Sequence, residues 1–249
     1  MVMAHGFGCD QSMWRFLASR YAEQFRVITF DLVGSGNSDL RAYVPDKYAS
    51  LHGFAGDLLE IIRAFSSGPV IFIGHSVSAI IGMLATISAP EQFIAQVMIS
   101  PSPSYINDGD YRGGFSRADI DDLLATMDGN YLGWSSNIAP AIMGAPDQPE
   151  IRAELINSFC RTDPEIARHF AHTTFLSDHR KDVARSTTQA HILQCSDDII
   201  APREVGDFML RTLPTSRLEI IHNVGHCPHL SAPAASITAI DSFLKTVLI

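Results

Sequence analysis

A hydroxyl can carry out acyl transfer when three residue types meet: a serine, an imidazole to take its proton, and a carboxylate to orient that imidazole. Ser76, His226 and Asp198 are candidates for these roles. Gly74-His75-Ser76 lies between an apolar run, Val70–Ile73, and a helical stretch, Ala79–Ser88. Gly-x-Ser recurs at Gly36-Asn37-Ser38, Gly114-Phe115-Ser116 and Gly133-Trp134-Ser135, but only Ser76 has a strand pattern before it and a helix pattern after it. A sharp turn in that context presents the hydroxyl at a sheet edge and at a helix N-terminus. Alone, such a serine would be an ordinary helix cap. Ser196-Asp197-Asp198-Ile199-Ile200-Ala201-Pro202 follows the run His191–Cys195, and Asn223-Val224-Gly225-His226 follows Leu218–Ile221. An acid beyond one strand and a histidine beyond the next, both after the serine, have the chain order this architecture requires. Adjacent residues leave a strand end in different directions, so only one of Asp197 and Asp198 can face the imidazole.

A fourth element stands near the start. His5-Gly6-Phe7-Gly8 follows the run Val2–Ala4, and a glycine-rich turn there can aim a backbone N–H at a developing oxyanion. The donors would be the amides of Phe7 and of Val77, the residue after the nucleophile. His226-Cys227-Pro228-His229 invites a zinc reading, but no Cys-x-x-Cys or His-Glu-x-x-His partner accompanies it. The acyl-transfer chemistry itself needs neither metal nor cofactor.

These loops need strands and helices to position them. Val2–Ala4, Val27–Phe30, Val70–Ile73, Val97–Ile99, His191–Leu193 and Leu218–Ile221 read as short strands, several continuously apolar, as strands buried on both faces should be. Leu51–Phe65, Ala79–Ser88, Val205–Leu213 and Ala234–Val247 read as helices between them. This alternation predicts an α/β fold with a parallel sheet covered on both faces. From Ser102 to about Ser186 the pattern is helical instead. Ser116 precedes a first segment with Asp119 in a capping-box-like position, Pro149 opens a second, and Asp163-Pro164 opens a third. Helices inserted at one place in such a sheet predict a cap over the strands' carboxyl ends, where ligands bind. The predicted division is a core of residues 1–101 and 186–249 with a cap of residues 102–185.

Of the 249 residues, 46% are hydrophobic and 18% charged, which excludes wholesale disorder. A net charge of −9 argues against a nucleic-acid partner. No apolar run reaches membrane-spanning length, and MVMAHGFG lacks the basic start of a secretion signal. With four scattered cysteines, these features predict a cytoplasmic protein with reduced thiols.

The sequence resembles the α/β-hydrolase superfamily, and within it the group of the bacterial stress-response regulator RsbQ and the plant strigolactone and karrikin receptors. The similar stretches are HGFGCDQSMW (5–14), FDLVGSGNSDLRAY (30–43), GHSVSAIIGMLA (74–85), SPSYINDGDYRGGF (102–115), Asn130-Tyr131 with Trp134, QCSDDIIAP (194–202) and GHCPHLSAP (225–233). QCSDDIIAP and GHCPH bring it nearest to RsbQ. The resemblance implies Ser76, Asp198 and His226 as triad, the acid standing four residues before Pro202, and Phe7 and Val77 as oxyanion donors. It also implies a V-shaped cap of four helices over a deep apolar pocket. His75, Phe115, Trp134, Phe170 and Phe175 are the candidates for its wall, although ordinary cap packing would explain each equally well. Two features depart from the pattern. Ser78 replaces the last glycine of Gly-x-Ser-x-Gly. The antiparallel hairpin of roughly 20 residues that precedes the HGFG strand in the family is not in this sequence: either the start is truncated or misassigned, or the sheet has lost two edge strands, which would leave Val27–Phe30 as an exposed edge.

Two functions follow from the resemblance. One is a serine hydrolase cleaving a small hydrophobic ester or lactone. The other is a ligand-sensing regulator with slow hydrolysis that signals through a protein partner, of phosphatase type by similarity to RsbQ.

Overall fold

A computed structural model describes residues 1–248. In chain order its elements are β1 (Val2–Ala4), α1 (Arg15–Tyr21), β2 (Ile28–Phe30), α2 (Leu51–Phe65), β3 (Val70–His75), α3 (Val77–Ser88) and β4 (Phe93–Ile99). Then come α4 (Arg117–Gly129), α5 (Tyr131–Met143), α6 (Pro149–Arg161), α7 (Pro164–Phe175) and α8 (Arg180–Val183). The chain closes with β5 (Gln189–Asp197), α9 (Arg203–Thr212), β6 (Ser216–Val224), α10 (Pro228–Ser231) and α11 (Pro233–Val247). Among the described residues no helix is long and apolar enough to cross a membrane.

The six strands form one sheet in the order β2-β1-β3-β4-β5-β6, and every pairing is parallel. The chain runs outward from β1 to β2, then returns to place β3 on the other side of β1. That reversal makes β1/β3 the switch point of the sheet, where a crevice opens beyond the carboxyl ends. His5–Gly8 and Ser76 lie there. Side-chain alternation explains why the strands are apolar throughout. Val2, Ala4, Val70 and Phe72 enter the core shared with α2, α3 and α9, whereas Met3, Ile71 and Ile73 enter the core shared with α1 and α11.

Several strands outrun their apolar segments. β5 and β6 pair from Ala190↔Ser216 to Asp197↔Val224, with a register shift between Cys195 and Asp197. β6 is an edge strand and mostly half-buried, so polar residues such as Arg217, His222 and Asn223 fit within it and hide its length. β2 forms the opposite edge, and its three residues are half-buried.

The segment between β4 and β5 is helical. Ser116 and Asp119 close a reciprocal capping box on α4, and Asp163 accepts from the amides of Glu165 and Ile166 to cap α7. Sequence patterning gives no sign of α5, and its composition shows why. Gly133 and Pro140 lie inside it and both lower helix propensity. Packing overrides that preference: Tyr131, Trp134, Ala139, Ile142 and Met143 are all buried.

Candidate active site

Ser76 occupies a strained turn between β3 and α3, with φ +56° and ψ −124°. Positive φ is uncommon for a residue with a side chain and persists only where the surroundings fix it. Here the Ser76 amide donates to the Ile99 carbonyl at 2.8 Å. The turn is so tight that a Cβ on Gly74 would lie 2.6 Å from the Ser78 carbonyl oxygen. Ser78 itself is fully buried and its hydroxyl donates to the His5 carbonyl. The departure from glycine thus ties the serine turn to the His5–Gly8 loop.

The Ser76 hydroxyl lies 2.8 Å from His226 Nε2, and His226 Nδ1 lies 2.7 Å from Asp198 Oδ2. The carboxylate fixes Nδ1 as the protonated nitrogen, leaving Nε2 to accept the serine proton. All three residues are buried, with exposures of 6%, 3% and 8% for Ser76, His226 and Asp198. The other carboxylate oxygen of Asp198 accepts from the amides of Ile200 and Ala201, at 2.9 and 3.1 Å. Asp197 is exposed, and its carboxylate accepts from the Ser196 hydroxyl instead.

His226 is held by its backbone. Its amide donates to the Ile142 carbonyl of α5 at 2.7 Å, and its own carbonyl accepts from His75 Nε2 at 2.9 Å. Ile142 stands in the last turn of its helix, where carbonyls lack an intrahelical partner. Gly225 (φ +108°) and Gly144 (φ +62°) let the two backbones meet, since a Cβ on Gly144 would lie 2.4 Å from the Val224 oxygen.

His75, a candidate for the pocket wall, sits behind the His226 imidazole. It also lies against the His5–Gly8 loop, since a Cβ on Gly6 would meet its Nδ1 at 2.5 Å. It is buried beside His226 and His229, with ring centroids 5.1 and 4.6 Å away. Burial, then the neighbouring His229 and His226, hold it neutral by pushing its pKa well down. His229 stacks on Trp14, and burial pushes its pKa down to about 3.

Trp134, Phe170 and Phe175 surround the Phe7 ring, at centroid distances of 6.4, 5.5 and 6.0 Å. Phe115 makes no such ring contact among the described residues. It is half-buried, and its amide donates to the Tyr105 carbonyl, bracing the loop that leads to α4. Patterning misses two residues of this neighbourhood. Phe159 of α6 lies 5.7 Å from Phe7. Tyr105 packs edge-on to Phe175, and burial raises its phenol pKa. Phe159 has no motif of its own and reaches the site through packing, whereas Tyr105 lies in the stretch 102–115 without being singled out there. The Phe7 and Val77 amides flank the serine turn, and among the described residues neither donates to a protein acceptor outside its own element.

A family model described as alpha/beta hydrolase matches residues 1–239. The chain belongs to the α/β hydrolase family. It is similar to a probable esterase of Oryza sativa subsp. japonica, 38% identical over 94% of this chain and 86% of that protein. It is also similar to a strigolactone esterase of Arabidopsis thaliana, 33% identical over 94% of this chain and 88% of that one. Among solved structures, a hydrolase from Oleispira antarctica is 43% identical with a TM-score of 0.95, covering 98% of this chain and 90% of that one.

Proposed function

We propose that this α/β hydrolase cleaves a small hydrophobic ester or lactone by acyl transfer through Ser76, His226 and Asp198. The observation that carries the reading is the buried hydrogen-bonded line from the Ser76 hydroxyl to His226 and on to Asp198, at 2.8 and 2.7 Å. His226 takes the Ser76 proton as the serine oxygen attacks the carbonyl carbon. The Phe7 and Val77 amides stabilise the tetrahedral oxyanion. His226 then protonates the leaving alkoxide, and an acyl-serine remains. Water, deprotonated by His226, attacks that acyl group, and collapse releases the acid and restores Ser76. Asp198 orients the imidazole and stabilises the imidazolium.

The substrate class rests on the rings of Trp134, Phe170 and Phe175 gathered around Phe7, the residue assigned to the oxyanion, and on the absence of Lys or Arg from the catalytic motifs. Short-chain and cyclic esters should therefore outcompete charged or polymeric ones. A second reading, a ligand sensor with slow turnover and a protein partner, draws support from relatives such as the karrikin insensitive 2 receptor IA of Petunia hybrida, 37% identical over 95% of this chain.

Intact mass spectrometry during incubation with ester and butenolide panels tests both. A hydrolase shows a transient acyl adduct on Ser76 and many turnovers, whereas a sensor retains the adduct after few. An adduct on another residue, or neither adduct nor product with any panel member, overturns the acyl-transfer reading.

A further inference from the structure

The amide assigned to the oxyanion lies in an unusual stretch of backbone. Phe7 stands between Gly6 and Gly8, and glycine on both sides leaves an amide free to swing unless something holds it. Core groups hold the start of the loop. The Ser78 hydroxyl donates to the His5 carbonyl, His5 Nε2 accepts from the Leu32 amide at 3.0 Å, and His5 Nδ1 donates to the Gly6 carbonyl at 2.9 Å.

The far side of the loop is held from the cap. The buried ring of Phe159 on α6 lies so close over Gly8 (φ +71°) that a Cβ there would sit 2.3 to 2.6 Å from three ring atoms. The same ring meets Phe7 edge-on, with an interplanar angle of 79°. The helix carrying it is clamped to the chain just after the loop. Arg15 forks the Glu154 carboxylate at 2.6 and 2.8 Å, and Arg161 reaches Asp10 at 3.0 Å. The Tyr131 hydroxyl donates to the Phe159 carbonyl at 2.8 Å, which locks α5 to the same point.

We infer that Phe159 is a positioning residue for the oxyanion donor: its ring presses on Phe7 and Gly8 and fixes the direction of the Phe7 amide. The inference rests on the acyl-transfer reading. A donor that swings away by about an ångström loses most of its hold on the transition state while leaving ground-state binding largely intact. The α5–α6 arm of the cap is on this account part of the catalytic apparatus as well as a cover.

The test compares wild type, Phe159→Ala, Phe159→Leu and Glu154→Gln with p-nitrophenyl butyrate as substrate. Active enzyme is counted by stoichiometric fluorophosphonate titration, so that misfolded protein drops out. Phenylboronic acid, which becomes tetrahedral on the serine, reports the oxyanion site directly. Phe159→Ala should lower kcat per titrated serine by about tenfold or more while KM stays within about threefold, and boronate affinity should fall in parallel with kcat/KM. Phe159→Leu, which restores bulk over Gly8, should recover most of the loss. Glu154→Gln should lower kcat by a smaller factor with the same signature. If Phe159→Ala yields no titratable protein, Glu154→Gln decides by the same criterion. Unchanged kcat per titrated serine, or a loss confined to KM, overturns the inference and leaves the acyl-transfer reading standing. Absence of titration and turnover in wild type would overturn the acyl-transfer reading itself, and the inference with it.

Discussion

The serine turn and the histidine loop carry the two reacting partners of the proposed triad, yet they are held by different parts of the molecule. The turn at Ser76 is secured inside the α/β core, by the Ile99 carbonyl and by Ser78 on His5. The loop at His226 takes one support from the core, His75 Nε2 donating to its carbonyl, and two from the helical segment between β4 and β5, the Ile142 carbonyl and the close meeting of Gly144 with Val224. The turn thus inherits the rigidity of β3 and α3, while the base is aimed by a helix remote in sequence. Changes in the cap should therefore act on the base without first destroying the nucleophile's geometry.

The largest effect should fall on the carboxylate behind the base. Asp198→Asn should lower kcat by about 10⁴, because the amide no longer fixes the imidazole tautomer or offsets its charge. Asp197→Asn should change esterase turnover little, since its side chain is exposed and meets only Ser196. Greater damage from Asp197→Asn, in folded protein, would shift the acid by one residue.

Gly144→Ala tests the cap's hold on the base. The new Cβ would strain a left-handed residue and meet the Val224 oxygen at 2.4 Å. The expected loss in kcat is about 10- to 100-fold, the scale of a small misplacement at a reacting centre. Retained kcat in a folded variant would show that the cap does not aim the imidazole.

Ser78→Ala probes the other side of the comparison. It removes the hydroxyl that satisfies a buried carbonyl and should cost about 1–3 kcal/mol of stability, read by urea denaturation, with a smaller effect on turnover. A larger loss in kcat than in stability would mean that the core-held turn is as sensitive as the cap-held loop.

The smallest effect expected is a pH dependence of folding. Burial keeps His229 and His191 neutral in the fold, both with pKa values pushed down to about 3. The unfolded chain binds protons on these residues near pH 6.5, the ordinary value, so it holds more protons than the fold between about pH 6.5 and 3. Stability is then fully present above that window and is lost as pH falls through it. The loss from His229 one pH unit below 6.5 is on the order of 1 kcal/mol. Replacing His229 with Phe should flatten the curve of unfolding free energy against pH, and an unchanged slope would contradict this.

What could be read in the sequence follows the same division. α2 over Leu51–Phe65 and the strand before Ser76 are local patterns, because continuous apolar runs and three-four spacing record burial directly. The half-buried edge strand β6 shows only its apolar centre. α5, interrupted by glycine and proline, shows nothing, and the support it gives His226 through Ile142 is a backbone contact that no side-chain pattern encodes. Phe159 is likewise invisible among the other aromatic positions, since only the tight approach to Gly8 sets it apart. His75 stands beside the serine in sequence, and its contacts with the His226 carbonyl and the His229 ring come from residues far along the chain.

The most direct test of the account is the nucleophile itself. A fluorophosphonate probe should label wild-type protein on Ser76, located by peptide mapping, and should not label folded Ser76→Ala. Labelling of Ser76→Ala at the wild-type rate would place the reactive hydroxyl elsewhere and contradict the account.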